Sequence, residues 1–133
     1  MLEASSLGAL ASRFIETESV PWIETTPGNK MKVIYHDPAT DMLTILAKLE
    51  PGAGIPAHVH EDLEQTFVLE GSLVDDEGEC TAGNFVIRAK GSRHAPTAPK
   101  GCSSVVHGQA KPRAQASRVC SVASRSPVSV YCQ

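Results

Sequence analysis

His58, His60, Glu64 and His94 are the residues of this chain whose types and spacing best suit a metal ion. His58 and His60 are one residue apart. On a strand, side chains at i and i+2 share a face, about 6.5 Å apart along the backbone. Two imidazoles leaning together from such positions can meet one ion at about 2.0–2.1 Å each. Glu64 follows after a short turn, so an adjacent strand can bring its carboxylate to the same ion. His94 would arrive from a more distant strand. Neutral imidazoles and one carboxylate suit Zn, Fe, Mn, Co or Ni. Each residue also has an ordinary alternative, a surface histidine or a solvated glutamate, and His-x-His alone is a weak signal. The conjunction is the stronger one, because glycines sit at matching points around it.

Strands must carry these side chains. Val20 to Glu24, with Pro21 and Trp22, reads as an edge strand. Lys30 to His36 places Met31, Val33 and Tyr35 on one face. Met42 to Glu50 alternates Leu43, Ile45, Ala47 and Leu49 with more polar neighbours, the period-two pattern of a half-buried strand. Between these two runs, Asp37 to Asp41 is a turn. The loop Pro51 to Gly54 leads into Ile55 to His60. Glu64 to Glu70 forms a strand ending at Gly71, with Thr66 and Val68 sharing the parity of Glu64 and Phe67 facing the other way. Ser72 to Asp75 and Asn84 to Arg88 follow, separated by an acidic turn. Ala89 to Ser92 turns again before His94, and Cys102 to His107 supplies one more strand. Short strands at this density favour a β-sandwich or barrel. Ahead of them, Leu7, Leu10, Ala11, Phe14 and Ile15 recur at helical spacing, which predicts a short helix packed outside the barrel or used as a dimer contact.

A length of 133 residues suits one domain, and a hydrophobic fraction of 41% suffices for one core. With aromatics at only 5%, aliphatic side chains must fill it. A net charge of −3 argues against nucleic acid as a general partner. Every Asp and Glu lies at or before Glu79, and only Arg and Lys follow. Such segregation marks a tail or a composite chain. Residues 109–133 form an irregular basic tail rich in Ser and Ala, read as disordered or as an out-of-frame product, behind an extension over 1–19 and a barrel over 20–108. No good closing strand follows Ala110, so the barrel would have to close otherwise or borrow a strand. Cys80, Cys102, Cys120 and Cys132 make no Cys-x-x-Cys pair, so a thiolate zinc site is not indicated. No signal peptide or membrane-spanning run is recognisable, which leads to the expectation of a cytoplasmic protein with reduced thiols and no membrane partner. His36 and His107 read as ordinary strand-end residues, and Cys102 as a small buried apolar one.

Gly52 to Gly71 reads G-x5-H-x-H-x3-E-x6-G. This matches the first motif of the cupins throughout. Gly83 to Ala98 resembles the second motif, G-x5-P-x-G-x2-H-x3-N, through Gly83, Gly91 and His94. Ala89 stands in place of its Pro and Ala98 in place of its Asn. The resemblance covers about Pro21 to His107. It implies an all-β jelly-roll barrel whose three His and one Glu bind a metal, a role that falls here on His58, His60, Glu64 and His94. Pro21-Trp22, Pro51-Gly52-Ala53, Val68-Leu69-Glu70-Gly71 and Gly101-Cys102 make the chain most similar to the ChrR-type cupins, a group that includes an anti-sigma factor domain. They also resemble the acetylacetone-cleaving and dihydroxyacetophenone dioxygenases. The anti-sigma members carry a helical zinc-binding domain in front, whose Cys and His are missing here, so sigma binding is not expected.

Two uses of the site follow from the resemblance. With Fe(II), four protein ligands leave two positions for a small chelating substrate and O2, and Glu64 supplies charge or acts as a catalytic base. The implied reaction is cleavage of a carbon–carbon bond in a dicarbonyl or hydroxyketone. With Zn(II), the same four ligands close a tetrahedron that stabilises the fold or senses oxidants without catalysis. A small-ligand or sugar binder ranks third. Barrels of this kind often pair, and the edge near Trp22 is the expected homodimer contact.

Overall fold

The computed structural model describes residues 11–110. Eleven strands run through them: β1 Ile23–Thr26, β2 Asn29–His36, β3 Met42–Leu49, β4 Ala53–Gly54, β5 His58–Val59, β6 Glu64–Asp75, β7 Gly78–Thr81, β8 Phe85–Arg88, β9 Arg93–His94, β10 Thr97–Ala98 and β11 Cys102–Gln109. The chain is all-β, as expected, with one short 3-10 turn at Thr17–Ser19. Of the expected N-terminal helix, Leu7 and Leu10 lie outside the described residues. The described part, from Ala11 to Glu16, is irregular, and Phe14 stands 94% exposed. Phe14 and Ile15 are both exposed, so the described part lacks the packing that holds most protein helices together. The basic tail beyond Ala110 also lies outside the described residues.

The main sheet runs β1-β2-β3-β11-β6-β10-β4, with β7 and β8 also pairing β6, and β5 pairs β9 separately. All pairings are antiparallel, which suits the half-buried alternation of β3. Leu43, Ile45 and Leu49 point inward and are buried, and Ala47 packs beside them. Thr66 and Val68 are buried while Phe67 is exposed, as the parity of β6 predicts. Tyr35 departs from its pattern. A register shift between Val33 and Tyr35 turns the end of β2, so Met31 is buried and Tyr35 is exposed. Trp22 lies just before β1, with the ammonium groups of Lys32 and Lys30 at 4.8 and 5.3 Å from its ring. β11 extends to Gln109 and pairs with β3 on one side and β6 on the other. The last strand of the described residues is therefore central, and the sheet order ends at β1 and β4 instead.

β6 is longer than its sequence suggests. It continues through Gly71, where a strand end was expected, and reaches Asp75. Its first part pairs with β11 and β8, its last part with β7 and β10. Gly71 sits at the changeover with φ +71°, and a Cβ there would lie 1.9 Å from the carbonyl oxygen of Gly101. Only glycine satisfies both conditions. Around this bend two apolar clusters fill the interior. Leu49, Val68, Cys80, Ala98 and Cys102 form one, and Met31, Leu43 and Ile45 the other. Gly71→Ala is expected to cost at least about 3 kcal/mol, a large value for one substitution, and to lower the melting temperature by more than about 10 °C. A thermal melt followed by circular dichroism checks this.

Candidate metal centre

β5 and β9 are two residues long and pair so that His58 faces His94. The pairing runs on past β5: the Ser92 carbonyl accepts from the His60 N–H at 2.9 Å, and the His60 carbonyl from the Gly91 N–H at 2.7 Å. Val59 between the histidines is exposed, so the i, i+2 alternation holds and both imidazoles turn the same way. Gly91, with φ +84°, makes the tight turn that returns the chain for His94. The three rings gather with centroids 4.9, 4.5 and 4.7 Å apart. Their candidate ligand atoms all lie within 4.8 Å of one another.

Hydrogen bonding fixes which nitrogen each ring turns inward. His58 Nδ1–H donates to the Pro56 carbonyl at 2.9 Å. His94 Nδ1–H donates to Asp75 Oδ2 at 3.2 Å. His60 Nδ1 stands 3.4 Å from Glu64 Oε2. Carbonyls and ionised carboxylates only accept, so the contacts of His58 and His94 place their ring protons on Nδ1 and leave lone pairs on Nε2. The Nε2 atoms of His58 and His94 are then 3.0 Å apart, two acceptors facing each other. His60 Nε2 is buried with no hydrogen-bond partner. Lone pairs converging in a buried place need a shared cation, and a divalent metal bound by three imidazoles meets that need. The residues therefore fit such an ion.

Electrostatics favours the same protonation states. Burial pushes His60 down to about 4, with the nearby His94, His58 and Arg88 charges adding to it. Burial also lowers His94, against the hydrogen bond and charge of Asp75. Neutral imidazoles are the form that binds metal. Burial raises Glu64 to about 7, against the Arg88 charge and a hydrogen bond from Thr66. Burial would also raise Asp75, but the Glu77 N–H, His94 and Arg88 together hold it below the usual carboxylate range.

Of the four candidates read from the sequence, His58, His60 and His94 come together. Glu64 stands against the far nitrogen of His60, its carboxylate outside the cluster of convergent ligand atoms. His36 meets Asp41 on the surface at 3.3 Å, and His107, within β11, meets the Thr44 hydroxyl at 2.8 Å, both away from the cluster. Cys80 and Cys102 are buried free thiols. Burial, reinforced by Cys80, raises Cys102 to about 11, which makes it an unreactive thiol. Two residues of the site were read only as turn and strand-end residues. Asp75 contacts His94, and Arg88 pairs with Asp75. Their contact is made by the fold and follows no spacing rule.

The family model of the ChrR cupin-like domain matches residues 11–111. The chain belongs to the ChrR-like cupins. A comparison with curated proteins finds no match. Among solved structures, a chain of the Rhodobacter sphaeroides SigE complex with the anti-sigma ChrR is similar at 24% identity and a TM-score of 0.62. That match covers 69% of this chain and 51% of the other, so the cupin spans about half of that relative's length. The acetylacetone dioxygenase of Acinetobacter johnsonii superposes with a TM-score of 0.69 at 13% identity, covering 75% of each chain. KdgF from Halomonas sp. matches at 26% identity and a TM-score of 0.59, covering 73% of this chain and 90% of that one. The cupin fold and a three-histidine cluster with the chemistry of a divalent-metal site are thus in place.

Replacing His60 by Ala is expected to cut bound metal from one ion per chain to below about a tenth, because a site short of one ligand loses most of its affinity. His36→Ala is expected to keep the full complement. Elemental analysis of both purified variants makes the comparison.

Proposed function

We propose that this cupin is a non-haem Fe(II) dioxygenase-like enzyme that cleaves a carbon–carbon bond in a small, neutral, chelating dicarbonyl or hydroxyketone. The observation that carries the reading is a cavity of about 400 Å³ that opens onto the histidine cluster, lined by His58, His94 and Glu64 at one place and by aliphatic and some polar side chains elsewhere. A site kept only to brace the fold has no use for ligand-sized space beside its metal.

The cavity's chemistry selects among substrates. Met31, Leu43, Ile45, Leu73 and Val106 make its walls apolar, and Thr66 and Ser104 offer hydroxyls. The Arg88 guanidinium is already paired with Asp75 and Glu77. Lys30 is turned over the Trp22 ring. A carboxylate or phosphate would have to compete with these partners for either cation, and burying an unpaired anion costs heavily. A neutral chelator avoids that cost.

His58, His60 and His94 would hold the ion as neutral donors, and Glu64 would be its fourth ligand or a base. A divalent ion bound there would supply Lewis acidity toward a chelating dicarbonyl and access to O2 chemistry. Glu64, at the cavity wall, takes the proton released when the dicarbonyl enolises. The apolar walls exclude water from the enolate, which strengthens every charge interaction around it. For a β-diketone with an unsubstituted central carbon, the products are a carboxylic acid and a 2-oxoaldehyde. Both atoms of O2 end in these products, with the substrate as the four-electron donor.

The ChrR-like family match favours a second reading, a zinc-binding sensor or structural domain. Metal identity separates the two. Protein purified without oxygen and loaded with Fe(II) is expected to consume one O2 per β-diketone cleaved, read with an oxygen electrode. Glu64→Gln is expected to slow turnover by about 10²–10⁴-fold, the usual worth of a general base. An iron-loaded protein that consumes no oxygen with any β-diketone or hydroxyacetophenone defeats the enzyme reading and leaves the zinc one. Solution mass and pairing near Trp22 bear on the homodimer, which remains part of this proposal.

A further inference from the structure

Behind the histidine cluster lies a buried ionic pair that none of the ligand roles above explains. Asp75, at the end of β6, has a side chain only 2% exposed. Its Oδ1 accepts the backbone N–H groups of Glu77 at 2.9 Å and Gly78 at 3.2 Å. Its Oδ2 accepts from the Arg88 guanidinium and from His94 Nδ1. The Arg88 side chain is 9% exposed, and its other contact is Glu77 at 3.5 Å on the surface. Every acceptor site of the Asp75 carboxylate is thus in use, and two of the four donors come from a rigid turn.

Such a pair is a poor stability device. Taking two charges out of water costs several kcal/mol per ion, and mutual attraction often does no more than repay it. Its position gives it another use. A carboxylate on the outer nitrogen of a metal-binding histidine fixes the ring's tautomer and rotation and makes the inner nitrogen a better donor. The His58 ring has the same support from a backbone carbonyl, which carries no charge. His94 is the ring brought from the more distant strand β9.

We infer that Asp75 is a positioning residue for His94, and that Arg88 positions Asp75. The pair locks His94 with its proton on Nδ1 and Nε2 toward the metal. Arg88 does so while lining the cavity, and its charge is cancelled before any ligand arrives. This inference rests on the reading of the three histidines as a metal centre, and the experiment separates the two.

The test uses the full chain, with zinc as the probe and chelator competition as the affinity measurement. Asp75→Asn keeps the size of the side chain and removes its charge. It is expected to weaken zinc binding about 10–100-fold. Asp41→Asn breaks a comparable contact at His36 and is expected to leave zinc affinity unchanged. Nitrogen-15 spectra of the imidazoles in the zinc-loaded wild type supply a readout that a purely structural role would not move. They are expected to show His94 bound through Nε2, with a downfield, slowly exchanging Nδ1 proton. Equal zinc affinity in Asp75→Asn overturns the inference and leaves the metal centre standing. Should that variant fail to fold, the wild-type spectrum decides. Coordination through His94 Nδ1, or an Nδ1 proton exchanging as fast as free imidazole, overturns it. A wild type that binds no zinc or other divalent ion removes the metal centre itself and the inference with it.

Discussion

Two imidazole nitrogens 3.0 Å apart, each with its ring proton committed elsewhere, repel unless a cation lies between their lone pairs. The rest of the site is arranged around that constraint. Pro56 and Asp75 hold the outer nitrogens, and His60 adds a third lone pair from a buried position with no other partner. The desolvation that lowers His60 and His94 disfavours protonating them instead. Bringing three imidazoles nose to nose, with His60 buried, costs free energy in polar groups that a bound metal would offset. In small domains such binding is worth on the order of 10 kcal/mol.

Much of this was legible in the residues. His58 and His60 share a short strand segment, so their common direction follows from local geometry alone. Gly91 fixes the turn before His94, so that ligand too is placed by a nearby residue. The alternation of β3 and the parity of Thr66 and Val68 are also local properties, and both hold. The failures have a common cause. The bulge that exposes Tyr35 arises from pairing with β3, which lies in another segment. β7 has one buried apolar residue, Cys80, among polar ones, too weak a pattern to read as a strand. Gly71 read as a strand end because glycine usually interrupts strands, whereas here it lets one bend. Asp75 read as a turn former. It is one, through the N–H groups of Glu77 and Gly78, and only the fold reveals its second partner set.

Glu64 shows how a motif and a geometry differ. The motif names it beside the histidines, and the strand places it on the inward face of β6, with its backbone opposite that of Arg88. Its carboxylate meets the outer nitrogen of His60 instead of the convergent lone pairs. In that position it flanks the outer nitrogen of His60, as Asp75 flanks that of His94. Burial raises the Glu64 carboxyl to about 7, so its charge depends on the cations nearest to it.

β6 ties these parts together. One strand carries Glu64 at its start, Val68 in the core, Gly71 at the bend and Asp75 at its end. Both carboxylates reach the histidine cluster only because the strand curls between them. The bend demands glycine, since the Gly101 carbonyl occupies the space a Cβ would need. The site's two acidic supports are therefore coupled through the backbone of one strand. A change at Gly71, remote from any ligand atom, displaces Asp75 relative to Glu64 and so disturbs His94 and His60 together. The glycine that closes the first motif thus bears on the histidine cluster through the shape of the strand, touching none of its rings.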